Sequence, residues 1–280
     1  MRGLIALLVA GCQPFEADES LIDELQVLAL VAEPPEVGPG EHLRLTVHTM
    51  DPQRDEVDLL VWFCTDLGEG CAERGDPGQP LSSFAQVVRS APAAAGLSFV
   101  VPPEVGYVLG GNVRVTTFVA WALACRPGAC PLIEQVAADP APGTETWEQV
   151  TAALAAPRDI VEGRGLTEAS LAYRRLTLSI RSFEERNHNP ILTFLGRLPL
   201  EVPTDSTVVL PFDVFDASRA WNYASTGGFS DDAYGVTTGA LSASWTAPAQ
   251  VGSVSMLVIV DDGVGGSAVW RTEARVLATE

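Results

Sequence analysis

Two close pairs of cysteines, Cys64 with Cys71 and Cys125 with Cys130, carry the most chemistry in this sequence, and a fifth cysteine stands near the N-terminus at Cys12. An even set of thiols in an exported chain implies disulfides. The alternative is a four-thiolate zinc site, which favours about two to four residues between knuckle cysteines. Cys125 and Cys130 meet that spacing, whereas Cys64 and Cys71 are too far apart, so disulfides are expected. Calcium wants six to eight oxygens, and acidic turns occur at Asp205, Asp213, Asp216, Asp231, Asp232, Asp261 and Asp262. No D-x-[DN]-x-[DN]-G loop organises them, and aspartates shaping their own turns are the simpler reading. Neither a metal nor a cofactor is therefore expected.

Catalysis finds little support. The chain has three histidines, His42, His48 and His188. The first two fall on one strand face about 20 Å apart at strand rise, too far to share a metal or a substrate. G-x-S-x-G, H-E-x-x-H and P-loop motifs are absent. A hydrolase using paired carboxylates remains an alternative, because so many acids allow such a pair. Its test is a carboxylate separation of roughly 5 to 10 Å in space. The expectation is that the protein is not an enzyme.

Composition narrows the partners. The chain of 280 residues carries 17 Lys+Arg against 36 Asp+Glu, a formal charge of −19. Every basic residue is arginine, which suits a GC-rich genome better than any binding role. Phosphate backbones attract basic patches, so nucleic acid is not an expected partner. The acidity itself reads as solubility and mutual repulsion.

Residues 1–12, MRGLIALLVAGC, place a charged head (Arg2), an apolar run from Gly3 to Ala10, and small residues up to Cys12. That layout resembles a bacterial lipoprotein signal. The resemblance implies removal of residues 1–11, lipid on Cys12, and a protein anchored outside the cytoplasm, most simply at the outer membrane of a Gram-negative cell. Two or more acyl chains hold durably. Residues 12–23 then read as a tether, at most ~40 Å when extended.

From Leu25 the pattern is that of strands. Leu25, Val27, Ala29 and Val31 alternate, and so do Leu43, Leu45 and Val47, the period of a half-buried strand. Val57 to Cys64 is apolar on both faces, Leu97 to Val101 makes another strand, and Asn112 to Ala124 a long one. The run from Ala32 to Glu41, the Leu43-Leu45-Val47 strand, Asp51-Pro52 and Trp62 together resemble an immunoglobulin-like sandwich of bacterial surface proteins. His42 to Met50 contains no cysteine, so the bridge of antibody domains is missing. In such a sandwich the strands ending at Cys64 and Cys125 run antiparallel side by side, with their ends at opposite poles. Local bridges, Cys64–Cys71 and Cys125–Cys130, are therefore expected. Each stabilises by about 2 kcal/mol, against about 4 for a crossed Cys64–Cys125 pair.

Strand patterning stops between Pro131 and Thr167. Thr146 to Gln149 fits a capping box, Trp147, Val150 and Leu154 form one apolar stripe, and Pro157 closes the helix. Leu171 to Arg181 resumes alternation. A helical insertion over about 126–170, between the last two strands of a domain spanning 24–182, is expected. Trp147, Val150 and Leu154 are its candidate binding residues, unless they cap an open end of the core.

Residues 183–190 read as a linker to a second domain, 191–280. There Trp221 to Gly228, Trp245 to Pro248 and Val260 to Gly266 resemble a polycystic-kidney-disease-type or cadherin-like sandwich. Arg186 to Pro190 echoes the calcium-binding linker of cadherins, but His188 stands where an acid would be.

The whole reads as an all-β chain of two immunoglobulin-like sandwiches. Its expected role is adhesive, scaffolding or protein-binding, with other envelope or surface proteins as partners. Carbohydrate recognition through Trp221, Tyr223, Phe229, Tyr234 and Trp245 is the alternative. Because such a sandwich admits the chain at the pole that carries the insertion, the second domain is expected to point away from the membrane.

Overall fold

A computed structural model describes residues 21–22, 24–65, 85–101, 115–138, 143–155, 168–231 and 233–279. They form two β-sandwiches. In the first, β1 (Gln26–Glu33), β3 (His42–Met50) and β6 (Ala94–Val100) make a three-stranded antiparallel sheet. The facing five-stranded sheet runs β2 (Glu36–Val37), β8 (Ala169–Ser179), β7 (Val115–Cys125), β4 (Glu56–Thr65) and β5 (Ala85–Pro92). Alternation fills the space between: Leu43, Leu45 and Val47 meet Val57, Leu59 and Val61, with Ala120, Ala122 and Ala124 closing the layer.

The second sandwich pairs β13 (Gly228–Phe229), β15 (Gly239–Thr246), β11 (Thr207–Phe215) and β9 (Ile191–Phe194) in one sheet. The other runs β10 (Leu200–Pro203), β17 (Ser267–Leu277), β16 (Gly252–Asp261), β12 (Arg219–Ala224) and β14 (Ala233–Gly235). Trp245, Phe212 and Met256 centre its core. Both domains open in the same manner. The first edge segment crosses between the sheets and ends parallel to the last strand, β2 on β8 and β10 on β17. A cis proline marks each crossing, at Glu33-Pro34 and Leu198-Pro199. The fold is immunoglobulin-like in both halves.

Three local expectations are corrected. The even alternation from Leu25 to Val31 is broken by a bulge between Val27 and Ala29. The extra residue re-aims the rest of the strand, so Val27, Leu30 and Ala32 enter the core while Leu28 and Ala29 face the second sandwich. The helix of the insertion, α2 (Glu145–Ala155), starts ahead of Thr146, with the Glu148 amide bonded to the Thr144 carbonyl. Thr146 thus sits inside its first turn and does not cap it. A second helix, α1 (Pro131–Ala137), precedes it where the sequence pattern shows none, although proline at a first helical position is a standard start.

The insertion does not close an end of the first core. Its helices lie on the outer face of the five-stranded sheet, where Leu132, Ile133, Val150 and Leu154 pack on Leu60, Trp62 and Leu123. That second layer explains why β4 is apolar on both faces. Ion pairs fasten its roots: Arg126 to Asp51 at 2.8 Å, and Arg89 to both Asp58 and Glu134.

The second domain does not point away. It folds back alongside the first, so that the outer faces of β12, β16 and β17 pack on the outer faces of β1 and β3.

Candidate functional site

Cys125 and Cys130 are joined in a disulfide at the root of the insertion. Cys64 lies on β4 across from Val119, whereas Cys125 lies across from Asp58. Val119 and Cys125 are roughly 20 Å apart along β7 at strand rise, so the ends carrying Cys64 and Cys125 sit at opposite poles. The Cys64 side chain, Cys71 and Cys12 lie outside the described residues, and with them the Cys64–Cys71 bridge and the lipid site.

Val150 and Leu154 are each 1% exposed. Their burial comes from facing the sheet, and it removes both from any role in binding a partner. The Trp147 side chain lies outside the described residues. The aromatics considered for sugar stacking are also placed inward. Trp245, Phe229 and Tyr223 are buried, Tyr234 packs on the second core, and Trp221 lines the contact between domains. They offer no stacking platform.

Among the described residues no group of three or more His, Cys, Asp or Glu could hold a metal. The carboxylates of Asp261 and Asp262 are occupied from within the chain. Asp261 accepts from the Gly263 amide and the Ser267 hydroxyl, and Asp262 from the amides of Val264 and Gly266 and from Asn187. Asp205 and Asp216 occupy left-handed backbone positions at φ of 58° and 60°, where aspartate is better tolerated than most residues. Asp232 lies outside the described residues.

The linker is tied down at the pole where β1 ends. Arg186 pairs with Glu41 at 2.5 Å and holds that carboxyl below its usual range, chiefly through the hydrogen bond. The Asn187 amide donates to Glu36, Asn189 donates to the Ala32 carbonyl, and its own oxygen receives the Ser267 amide. A side chain at Gly266 would collide with the Asp262 carboxylate and the His188 carbonyl, so glycine lets the linker lie flat there. Arg174, buried on β8, donates to the Leu30 carbonyl at 2.6 Å, the Ser267 hydroxyl at 2.7 Å and the Gly265 carbonyl. It therefore joins both sandwiches.

Between the domains runs an apolar seam of Ile22, Leu28, Met50, Tyr223, Leu257 and Ile259. Leu21 bridges to Ala224 of the second domain, and the Ile22 amide donates to the same residue's carbonyl at 3.0 Å. At the N-terminal pole of the seam, Arg271 donates to the carbonyls of Thr49 and Ala93 at 2.8 and 2.9 Å. A cleft of about 160 Å³ opens beside it, lined by Asp51, Arg54, Asp55, Ser255 and Glu273 among others. His48 lies in the seam on the outer face of β3, its Nδ1 without a hydrogen-bond partner among the described residues. Burial, reinforced by the Arg271 charge, holds its pKa down at about 4.

The outer face of the opposite sheet of the second sandwich carries exposed apolar side chains and is covered by none of the described residues. Ile191 and Phe215 pair across β9 and β11, Val209 stands on β11 across from Ser244, and Leu195 adjoins Pro211. Ile191, Leu195, Val209 and Phe215 are each more than half exposed. Thr193, Thr207, Ser242 and Thr246 supply hydroxyls around them, and Asp213 is the single charge on these strands. Ile191 with Phe215 and Leu195 with Val209 make two exposed apolar groups on one face, on either side of Thr193 and Asp213. The sequence signal is present in the one-in-two alternation of β11, where both faces carry apolar residues.

No protein-family model matches the chain, and no curated protein matches it. Solved structures give distant similarities. The D0-D1 domain of intimin aligns at 7% identity over 89% of this chain and 98% of that one, with a TM-score of 0.25. The fibronectin(III)-like modules of Clostridium thermocellum CbhA align at 8% over 91% and 94%, with a TM-score of 0.24. The Yersinia pseudotuberculosis adhesin InvE aligns at 11% over 89% and 58%, with a TM-score of 0.24. The immunoglobulin-like assignment rests on the strand order described above.

Proposed function

We propose that this chain is a lipid-anchored, extracytoplasmic binding protein that holds another envelope or surface protein on the open face of its second sandwich. The observation that carries this reading is the neutral patch itself. In a chain of net charge −19, the face bearing Ile191, Leu195, Val209 and Phe215 has one acid and no base. A basic ligand would find only Asp213 to pair with there, and an anionic headgroup no base on these strands. A protein surface of similar apolar and hydroxyl character would bury it well. The molecule already covers one outer sheet face in this way, by laying one sandwich on the other.

Photo-crosslinking in the intact envelope tests the surface. A crosslinker at Val209 should give an adduct of one discrete mass, and a crosslinker at the exposed Ser98 of β6 should not. The double substitution Val209→Glu, Phe215→Glu should abolish copurification of that adduct partner while leaving the fold intact by circular dichroism. Equal adducts from both positions would refute the surface. The anchor is tested separately: Cys12→Ala should move the protein from the membrane to the soluble fraction, and unchanged retention would refute lipidation.

A further inference from the structure

The seam between the sandwiches contains a buried imidazole with an unpartnered nitrogen. His48 projects from β3 toward the second domain, flanked by Ala29 on β1 and Ala94 on β6. From β17 it faces Arg271, a permanent cation held in place by the carbonyls of Thr49 and Ala93, which adjoin His48 and Ala94 in sequence. β16 presents Leu257 and Ile259 to the seam, and β12 presents Trp221 and the neutral phenol Tyr223. Of the charged groups at this pole, Asp55 and Glu273 bear on Arg271, Asp51 pairs with Arg126, and Arg54 is a further cation lining the cleft. On its own strand the next charge is Arg44. No carboxylate among the described residues pairs with His48, so an imidazolium there would stand desolvated beside a second cation, which is a costly arrangement.

We propose that proton uptake by His48 undocks the two sandwiches, making the seam an acid-sensitive hinge. The hinge line is the opposite pole, where Arg186, Asn187 and Asn189 fasten the linker to Glu41, Glu36 and Ala32 through bonds that need no histidine. Opening bares Leu28, Met50, Tyr223, Leu257 and Ile259, an apolar surface distinct from the open face of the second sandwich. The proton goes to the imidazole from solvent, and nothing else is consumed.

Small-angle scattering of the full chain between pH 7.5 and 4.5 tests the hinge. The wild type should be compact at pH 7.5 and extended at pH 4.5, with the ratio of docked to undocked molecules falling by up to about tenfold per pH unit below 6.5. His48→Phe should stay compact across the range, and His48→Gln serves the same purpose if the phenylalanine variant does not fold. Hydrogen exchange on the wild type supplies an independent reading. The Ile22 amide, bonded across the seam to the Ala224 carbonyl, should lose protection in step with expansion while Leu59 and Val258 in the two cores keep theirs. A wild type that remains compact at pH 4.5, variants that open at the same pH, or simultaneous loss of core protection would each overturn the proposal.

Discussion

Arg174 is a cation almost wholly removed from water, and acceptors drawn from both sandwiches make that tolerable. The guanidinium is a fork, so one side chain can reach a carbonyl of β1 and the turn before β17 together. Arg174→Met keeps the bulk and removes the donors, leaving the Leu30 and Gly265 carbonyls to be satisfied otherwise. A loss of about 2–4 kcal/mol is expected, measured as a lower urea midpoint of the full chain. Arg174→Lys should recover little of it, since a single ammonium cannot span the same acceptors. Asp58 plays a comparable part in the first sandwich, where one buried carboxylate receives Arg89, the Ser90 amide and the Gly128 amide.

The insertion shows what elements add to residues. Its helices α1 and α2 turn the outer face of a sheet into a second core, and the disulfide between Cys125 and Cys130 fixes where the chain leaves β7. Leu154→Ala should cost about 2–4 kcal/mol, as for other fully buried leucines. Cys130→Ser should cost about 2 kcal/mol on loop-entropy arithmetic. Both are read by thermal unfolding, and a Leu154→Ala variant as stable as wild type would mean the helices do not cover the sheet. Much of this architecture is legible in the sequence. β3, β4, β6, β7 and β8 lie within a few residues of the strands that the apolar patterns indicate. β5 is not legible, because AQVVRSAP has little alternation and is a sheet edge. The roles of Val150 and Leu154 are hidden too, since an apolar helical stripe looks the same whether it meets a partner or its own sheet. Least legible is the docking of the domains. It depends on a bulge at Val27 and Ala29 and on single hydrogen bonds between residues as distant in sequence as Thr49 and Arg271.

At the scale of the whole molecule, stability should depend on acidity in a direction fixed by His48. Its folded pKa of about 4 lies below the ordinary 6.5. The undocked or unfolded chain therefore binds the extra proton between those values. The His48 contribution is held in full above pH 6.5 and is lost as pH falls toward 4, amounting to ~3 kcal/mol. Urea midpoints at pH 7.5, 6 and 5 should decline for the wild type and flatten for His48→Phe. The segment before β1 adds a mechanical consequence. Leu21 is stitched to β12 of the second sandwich and Ile22 is wedged in the seam, before the chain ever enters β1. A pull on the N-terminus therefore reaches the second sandwich directly, without passing through the first. The first contacts such a force meets are the bridge of Leu21 to Ala224 and then the Ile22 wedge, both of them at the joint between the domains.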